Sequence, residues 1–408
     1  MALNLKDRFG QAYGSLKFRD FRLFYTALLV ASLGSQLQST ANLWLVYELT
    51  GSPLHLGLTG LARGLPTLIF SLVGGIIADR VDRKKFLIVI QAAIGLLSLT
   101  LAALTATGLI QLWHVYVITL ISASLSAINT PSRTAIVPNL VPRPFLLNAI
   151  ALNSTAWQIS RLLGPALAGS LIALFGLPTT YLLDGAAHLG TLFTLAAISV
   201  GAVKQPSRGS ALESLVEGLS FIRQRSIILA LLSMDLAAVF FGSYRALLPV
   251  FASRLGVGPE GLGLFLSAPA LGALVGATFI LMLGNVRYKG LLIAAGILAY
   301  CASLAVLALS PWFLLSLGTT VMLGFFDSVQ ATPRNAIIQS ITPDELRGRV
   351  SSFQRMLTNG GPALGQAQSG AVATLIGAPL TLVVGALICT VTILGILGKR
   401  RDLRAAEL

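Results

Sequence analysis

Long apolar runs fill this chain, separated by glycine, proline and clusters of charge. A helix needs about 20 apolar residues to cross the hydrocarbon core of a bilayer. Breaking the sequence at Gly, Pro and charge predicts about twelve such spans. They lie near residues 21–47, 54–78, 86–107, 111–135, 147–175, 178–200, 227–253, 259–284, 289–309, 312–338, 346–375 and 378–398. The predicted fold class is an all-α polytopic membrane protein. The longest hydrophilic stretch, about 202–226, holds Glu213 and Glu217 on a predicted amphipathic surface helix and divides the spans six and six. The implied organisation is a tail over 1–20, a six-helix bundle over 21–201, a linker over 202–226, a second bundle over 227–398 and a tail over 399–408.

Shifting the sequence by 201 places Pro142, Gly164, Gly169, Gly176, Pro178 and Thr180 onto Pro343, Gly365, Gly370, Gly377, Pro379 and Thr381. Together with the even division of spans, these coincidences predict two duplicated, pseudo-symmetric halves, a plan that marks many secondary transporters.

Composition agrees with a membrane interior. The 408 residues are 55% hydrophobic and 11% charged, against about 25% charged in soluble domains, and the mean hydropathy is +0.82. Lys and Arg number 29 against 15 acids, a formal +14. In a soluble chain that excess would suggest nucleic acid. Here the basic residues fall between apolar runs without aromatic interleaving, so no nucleic-acid partner is expected. They concentrate in the N-terminal tail, in alternate connections such as Arg80–Lys85 and Lys204–Arg225, and in the C-terminal tail. Cytoplasmic loops accumulate such charge, so both termini are expected to be cytoplasmic, in a cell membrane. No small-residue cleavage site follows a short apolar core near the start, and the first span is expected to act as its own insertion signal. Cys301 and Cys389, and His55, His114 and His188, lack disulfide-framework or metal-ligand spacing. No metal is expected, and no paired nucleophile and base suggest an enzyme.

Inside a bilayer an ionised side chain costs roughly 2.5 to 3.5 kcal/mol on insertion scales, so those present ask for a function. They are Arg63, Arg161, Asp184, His188, Asp235, Arg245 and Asp327. In the tenth run, Thr320, Asp327, Gln330 and Arg334 share about 80° of arc. Asp327 could load and release a proton there, or form a permanent ion pair with Arg334. Asp235 and Arg245, ten residues apart in the seventh run, are too distant to pair along the helix. Asp235 is read either as a proton-coupling or cation-contacting acid or as a solvated group near the interface. Asp184 and His188 stand at i and i+4, fit for a mutual hydrogen bond or a protonation relay.

Uncharged polar stripes also run along the first span (Ser32, Ser35, Gln36, Ser39 and Asn42) and the fourth (Thr119, Ser122, Ser126 and Asn129). Hydroxyls can join helices or bond their own backbone, but stripes on the first, fourth and tenth spans predict a water-filled cavity. In "ISRLLGPALAG", residues 159–169, Gly164, Pro165 and Gly169 predict close packing and a bend, while Arg161 needs an anion or an acidic partner.

"GGIIADRVDRKKFL", residues 74–87, resembles the signature that follows the second span in the major facilitator superfamily, through Gly75, Asp79, Arg80, Arg83 and Lys84. Asp82 stands where the usual pattern has a second Gly, as in the drug:proton antiporter branch that includes macrolide-efflux and enterobactin-export proteins. "LWLVYELTGSPLHLGL" at 43–58, "NTPSRTAIVPNLVP" at 129–142, "LLGPALAG" at 162–169 and "TPDELRGRVSS" at 342–352 are similar to the same branch. The resemblance implies two six-helix bundles rocking about a cavity lined by the first, fourth, seventh and tenth helices, with proton-driven export of a small amphipathic molecule such as a drug or siderophore. It implies no cofactor beyond the proton gradient and a monomer in the lipid bilayer. Cavity candidates are Ser35, Gln36, Ser39, Ser122, Ser126, Asn129, Arg161, Arg245, Gln330 and Arg334. The basic residue that other drug-exporting branches carry within the fourth span, and the acid in their first, are absent: the fourth has no charge before Arg133 and the first none between Arg22 and Glu48. Proton coupling is therefore placed on Asp235 and Asp327. Gly75, Asp79, Arg80, Arg83 and Arg133 form the implied conformational gate, with Asp79 expected to engage Arg133 or the helix start near Gly348. Import by symport or uniport, and a non-transporting sensor or scaffold, remain the alternatives.

Overall fold

The computed structural model describes residues 13–80, 82–199, 211–284 and 288–399, with the side chains of all of these except 71–80, 211–216, 218, 355 and 359. Every regular element among the described residues is helical, as a chain needs when no water is at hand for its backbone. Thirteen α-helices are described: α1 (Arg19–Thr50), α2 (Pro53–Arg80), α3 (Arg83–Ala106), α4 (Leu112–Ile136), α5 (Leu146–Ala196), α6 (Ala211–Gln224), α7 (Ser226–Phe241), α8 (Leu248–Arg254), α9 (Gly258–Leu283), α10 (Lys289–Leu309), α11 (Phe313–Ile341), α12 (Asp344–Ile376) and α13 (Ala378–Lys399). Each predicted run overlies one or more of them. Eight stretches among the described residues are long and apolar enough to cross a membrane, and one of these, Arg143–Ala196, contains two predicted runs.

The chain divides into two compact units, Met1–Asn42 with Ile69–Arg208, and Leu43–Leu68 with Gly209–Leu408. In the first, α3 packs against α4 and α5, around a core that includes Phe21, Phe24, Leu87, Ile136, Leu152 and Leu195. In the second, α11 packs on α9 and α10, and α13 on α7, α10 and α12. Leu43–Leu68 falls with the second unit because small residues bring α2 against α12: a Cβ on Gly57 would lie 2.6 Å from the Gln366 carbonyl oxygen. The linker helix α6 docks on α12, where Arg349 pairs with Glu217.

Caps explain several charges in the motif at 74–87. Asp82 is the N-cap of α3, its carboxylate accepting from the backbone N–H groups of Lys84 and Lys85 at 3.0 and 3.2 Å. An acid there satisfies two of the helix's free donors and favours the positive end of its dipole, which glycine could not do. The Lys84 ammonium donates to the carbonyls of Ala196 and Ile198 at 2.8 and 2.6 Å, closing the end of α5. At the start of α4, Gln111 and His114 form a reciprocal capping box. His114 is thus a capping group.

The duplicated motif has one backbone geometry in both halves. Gly176, with φ of 79°, breaks α5, and Gly377, with φ of 83°, ends α12. Such left-handed φ favours glycine. The Thr180 and Thr381 hydroxyls then donate to the Gly176 and Gly377 carbonyls at 3.2 and 2.8 Å.

The seventh predicted run is not one continuous helix. α7 stops at Phe241, and a 3-10 turn at Arg245–Leu247 precedes α8. Pro249 sits in the first turn of α8, where its missing N–H costs nothing. The Tyr300 hydroxyl donates to the Gly242 carbonyl at 2.9 Å.

α11 is held at close range by α9. A Cβ on Gly324 would overlap the Pro269 carbonyl, and one on Gly272 the Val321 carbonyl. Overpacking such a contact costs typically about 1–3 kcal/mol. Gly324→Val should therefore lower the thermal unfolding midpoint of the purified protein measurably, while Gly318→Val, at a glycine with open space around it, should lower it far less; equal midpoints would refute the packing.

Candidate functional site

The second unit carries a polar chain through an apolar interior. On α11, Asp327, Gln330 and Arg334 follow at i, i+3 and i+7 and so share one face. The Arg334 guanidinium pairs with Asp235 of α7, both groups being buried. The same Nη1 donates to Gln330 Oε1 at 2.8 Å, and Gln330 Nε2 donates to Asp327 Oδ1 at 3.1 Å. One amide thus connects an ion pair to a second carboxylate. Asp327, unlike Asp235, is exposed. With Gln330 and Tyr300 it lines a cleft between α7, α10 and α11 whose other walls are Ala238, Val239 and Ile297. The space open to water is about 30 Å³, enough for on the order of two molecules. Beside it lies the Gly242 break in α7, and interrupted helices with half-satisfied backbone recur at transporter binding sites.

These positions correct two readings of the sequence. Arg334 does not pair with Asp327; Asp235 takes it, because α7 and α11 bring the two together while Asp327 projects into the cleft. Asp235 is not a solvated interfacial group, since it is only 4% exposed. The Thr320 hydroxyl, also on α11, donates to the Leu317 carbonyl at 2.7 Å. Arg245 lies in the 3-10 turn that follows the break.

In the first unit a second polar cluster is almost wholly buried. Ser98 of α3 donates to Asp184 Oδ2 at 2.6 Å and accepts from Gln38 of α1 at 2.9 Å. His188 Nδ1 lies 3.1 Å from Gln91 Oε1, and its Nε2 lies 3.4 Å from both Asp184 Oδ1 and Ser35 Oγ. Asn42 donates to Thr119 at 2.9 Å and accepts from the Tyr181 hydroxyl at 2.8 Å. Gly34 makes room for the carboxylate: a Cβ there would lie 2.7 Å from Asp184 Oδ1. Within the first span's stripe, Asn42 bonds between helices, whereas the Ser35 hydroxyl donates to the Ala31 carbonyl of its own helix at 2.9 Å. Ser32 Oγ is buried with no hydrogen-bond partner among the described residues, and Gln36 is buried against Gly164, where a Cβ would meet Gln36 Cβ at 2.5 Å. Pro165 and Gly169 are buried on the same helix. Ser39 is half-buried.

The other candidates separate by exposure. Ser122 Oγ and Asn129 Oδ1 are buried with no hydrogen-bond partner among the described residues. Ser126 and Arg161 are exposed, and none of the ion pairs among the described residues involves Arg161. The Arg133 guanidinium lies over the Trp157 ring, 4.6 Å from its centroid, a cation–π contact. Arg83 opens α3. The side chains of Gly75, Asp79 and Arg80, and with them the expected latch to Arg133 or Gly348, lie outside the described residues. Sequence reading missed Gln38, Gln91, Ser98 and Tyr300. Gln91 and Ser98, seven residues apart in an apolar run, do mark one helix face, and that spacing was the available signal.

Comparison with known proteins bears on what such a scaffold does. The family model described as "transmembrane secretion effector" matches residues 11–408. An uncharacterized MFS-type transporter, YfiS of Bacillus subtilis (strain 168), is 26% identical over 393 residues, covering 91% of each chain. The enterobactin exporter EntS of Citrobacter koseri is 25% identical over 360 residues, 87% of this chain and 85% of that one. Among solved structures, a bacterial homolog of the human lysosomal transporter Spinster superposes with a TM-score of 0.74 at 13% identity, covering 94% and 98% of the two chains. That last likeness concerns the fold alone.

Breaking a buried ion pair from one side costs about 3–5 kcal/mol because a bare charge remains. Arg334→Leu should therefore strongly destabilise the protein in thermal unfolding, and the double variant Asp235→Leu/Arg334→Leu should recover much of the loss. A double variant no more stable than the single one would show that Arg334 does not act through Asp235.

Proposed function

The chain belongs to the transmembrane secretion effector family of major facilitator transporters, and we propose that it exports an amphipathic organic compound, a siderophore or macrolide-like drug, in exchange for protons. The proposed setting is the cell membrane, with both termini cytoplasmic and the monomer as the working unit. Export is supported by the kinship with a protein named as an enterobactin exporter.

One observation carries the proton coupling: Asp327 is exposed in the middle of a 29-residue apolar helix. A carboxylate at such a depth is expensive unless it faces water or is neutralised. Asp235 and Arg334 already cancel each other, so Asp327 leaves the cluster with one negative charge that a proton removes. Gln330 holds the carboxylate through its amide N–H and is itself held by Arg334, which fixes the geometry of the acid in both protonation states. Substrate binds when Asp327 is deprotonated, and protonation on the other side of the membrane favours its release. Coupling is then the difference in affinity of two alternating states for proton and substrate.

The test begins with a thermal-stabilisation screen of the purified protein against catecholate siderophores and macrolides, since specific binding raises apparent stability. The stabilising compound is then followed into inside-out vesicles under an imposed pH gradient. Asp327→Asn, which fixes the neutral form, should weaken binding of the stabilising compound and reduce gradient-driven uptake at least tenfold. Undiminished gradient-driven uptake in Asp327→Asn would remove this acid from the mechanism.

A further inference from the structure

The buried cluster of the first unit contains a titratable pair that the export reading does not use. Asp184 is 0% exposed and His188 3%. Asp184 Oδ2 has the Ser98 hydroxyl, but Oδ1 accepts no hydrogen bond among the described residues. Its neighbour is His188 Nε2, at the edge of ion-pair reach. No Lys or Arg bonds to the cluster among the described residues: α1 contributes Ser35, Gln38 and Asn42, α3 contributes Gln91 and Ser98, and α4 contributes Thr119. A neutral imidazole beside an ionised carboxylate would therefore leave one uncompensated negative charge in the bundle interior, the state that burial disfavours most. In the tautomer whose Nδ1–H donates to Gln91 Oε1, Nε2 and Asp184 Oδ1 face each other with room for one more proton between them.

There is also a way in. Gln91, one contact from His188, lines a cleft of about 20 Å³ with Ala31, Leu87, Asn129, Arg133 and Leu195, space for about one water. Asn129, which lines the same cleft, has a buried Oδ1 with no hydrogen-bond partner among the described residues.

We propose that Asp184 and His188 together form a second proton-binding site, inside the first unit, reached through the cleft at Gln91 and separate from Asp327. Hydronium in the cleft gives up one proton, which forms an N–H bond at Nε2 or an O–H bond at Oδ1, and water is left behind. The pair passes from net charge −1 to zero, and release returns the proton to water. Arg133 lines the cleft, Tyr181 bonds to Asn42, and Lys84 caps the far end of α5; these are the charged and titratable groups that the contacts bring toward the pair. Arg133 favours the deprotonated pair without cancelling its charge directly.

Because the chain has three histidines, nitrogen-15 labelling of histidine in the full-length protein reads the site directly, with His188→Gln identifying the signal. In wild type the His188 ring signals should change in one step as the pH is varied. In Asp184→Asn that step should move to lower pH by at least one unit, since the facing charge is gone. In Ser98→Ala it should move to higher pH, because the carboxylate loses its hydrogen bond. If Asp184→Asn does not fold, the wild-type and Ser98→Ala titrations decide. Ring signals that stay constant across the range, a step unmoved by these substitutions, or a response to sodium in place of pH would overturn the proposal. The titration requires no transported compound, so its failure would leave the role of Asp327 untouched.

Discussion

An apolar medium does not tolerate an unsatisfied polar group, and the placement of nearly every polar side chain described above follows from that constraint. Asp235 and Arg334 can lie at 4% and 3% exposure because they neutralise each other. The carbonyl freed where α7 stops at Gly242 is taken by the Tyr300 hydroxyl. The carbonyls at the end of α5 are taken by Lys84. Once these debts are settled locally, two carboxylates stand out: Asp327, exposed beside a water-sized cleft, and Asp184, enclosed with one oxygen unbonded.

Their contrast divides structural from exchangeable charge. In the second unit, Asp235 and Arg334 hold α7 to α11 whatever the protonation of their neighbour, and Gln330 carries that fixed geometry to Asp327 through two hydrogen bonds. In the first, no Lys or Arg among the described residues pairs with Asp184, and its carboxylate faces the imidazole of His188 and the Ser98 hydroxyl. The same cost of burial is met by an Asp–Arg ion pair in one unit and by a carboxylate facing an imidazole in the other.

Much of the fold was legible because helix length and apolar runs are written residue by residue. Gly176 and Gly377, matched by a simple shift of the sequence, turn out to share a left-handed backbone and the same threonine bond. The break in α7 was missed although Gly242, Arg245 and Pro249 in "FGSYRALLPV" mark it, because the apolar run as a whole is long enough for one span; Tyr300, 58 residues away from Gly242, bonds the carbonyl at the break. At the sites, the spacing of Asp327, Gln330 and Arg334 revealed a common face. It could not reveal that Arg334 belongs to Asp235, because pairing between helices depends on their packing, here the close approach of α11 to its neighbours. The charge motif at 74–87 changed meaning in part: Asp82 and Lys84 are helix caps in addition to any topological role. On the first span, Asn42 bonds to neighbouring helices, while the Ser35 hydroxyl is taken by its own backbone.

The central claim is that Asp327 is the acid that meets water and Asp235 the acid locked away by Arg334. Carbodiimide modification of the purified protein, located by mass spectrometry, tests this most directly, because the reagent attacks accessible protonated carboxyls. Labelling of Asp327, reduced as the pH is raised and absent at Asp235, is the predicted result. Labelling of Asp235 with Asp327 untouched would contradict it.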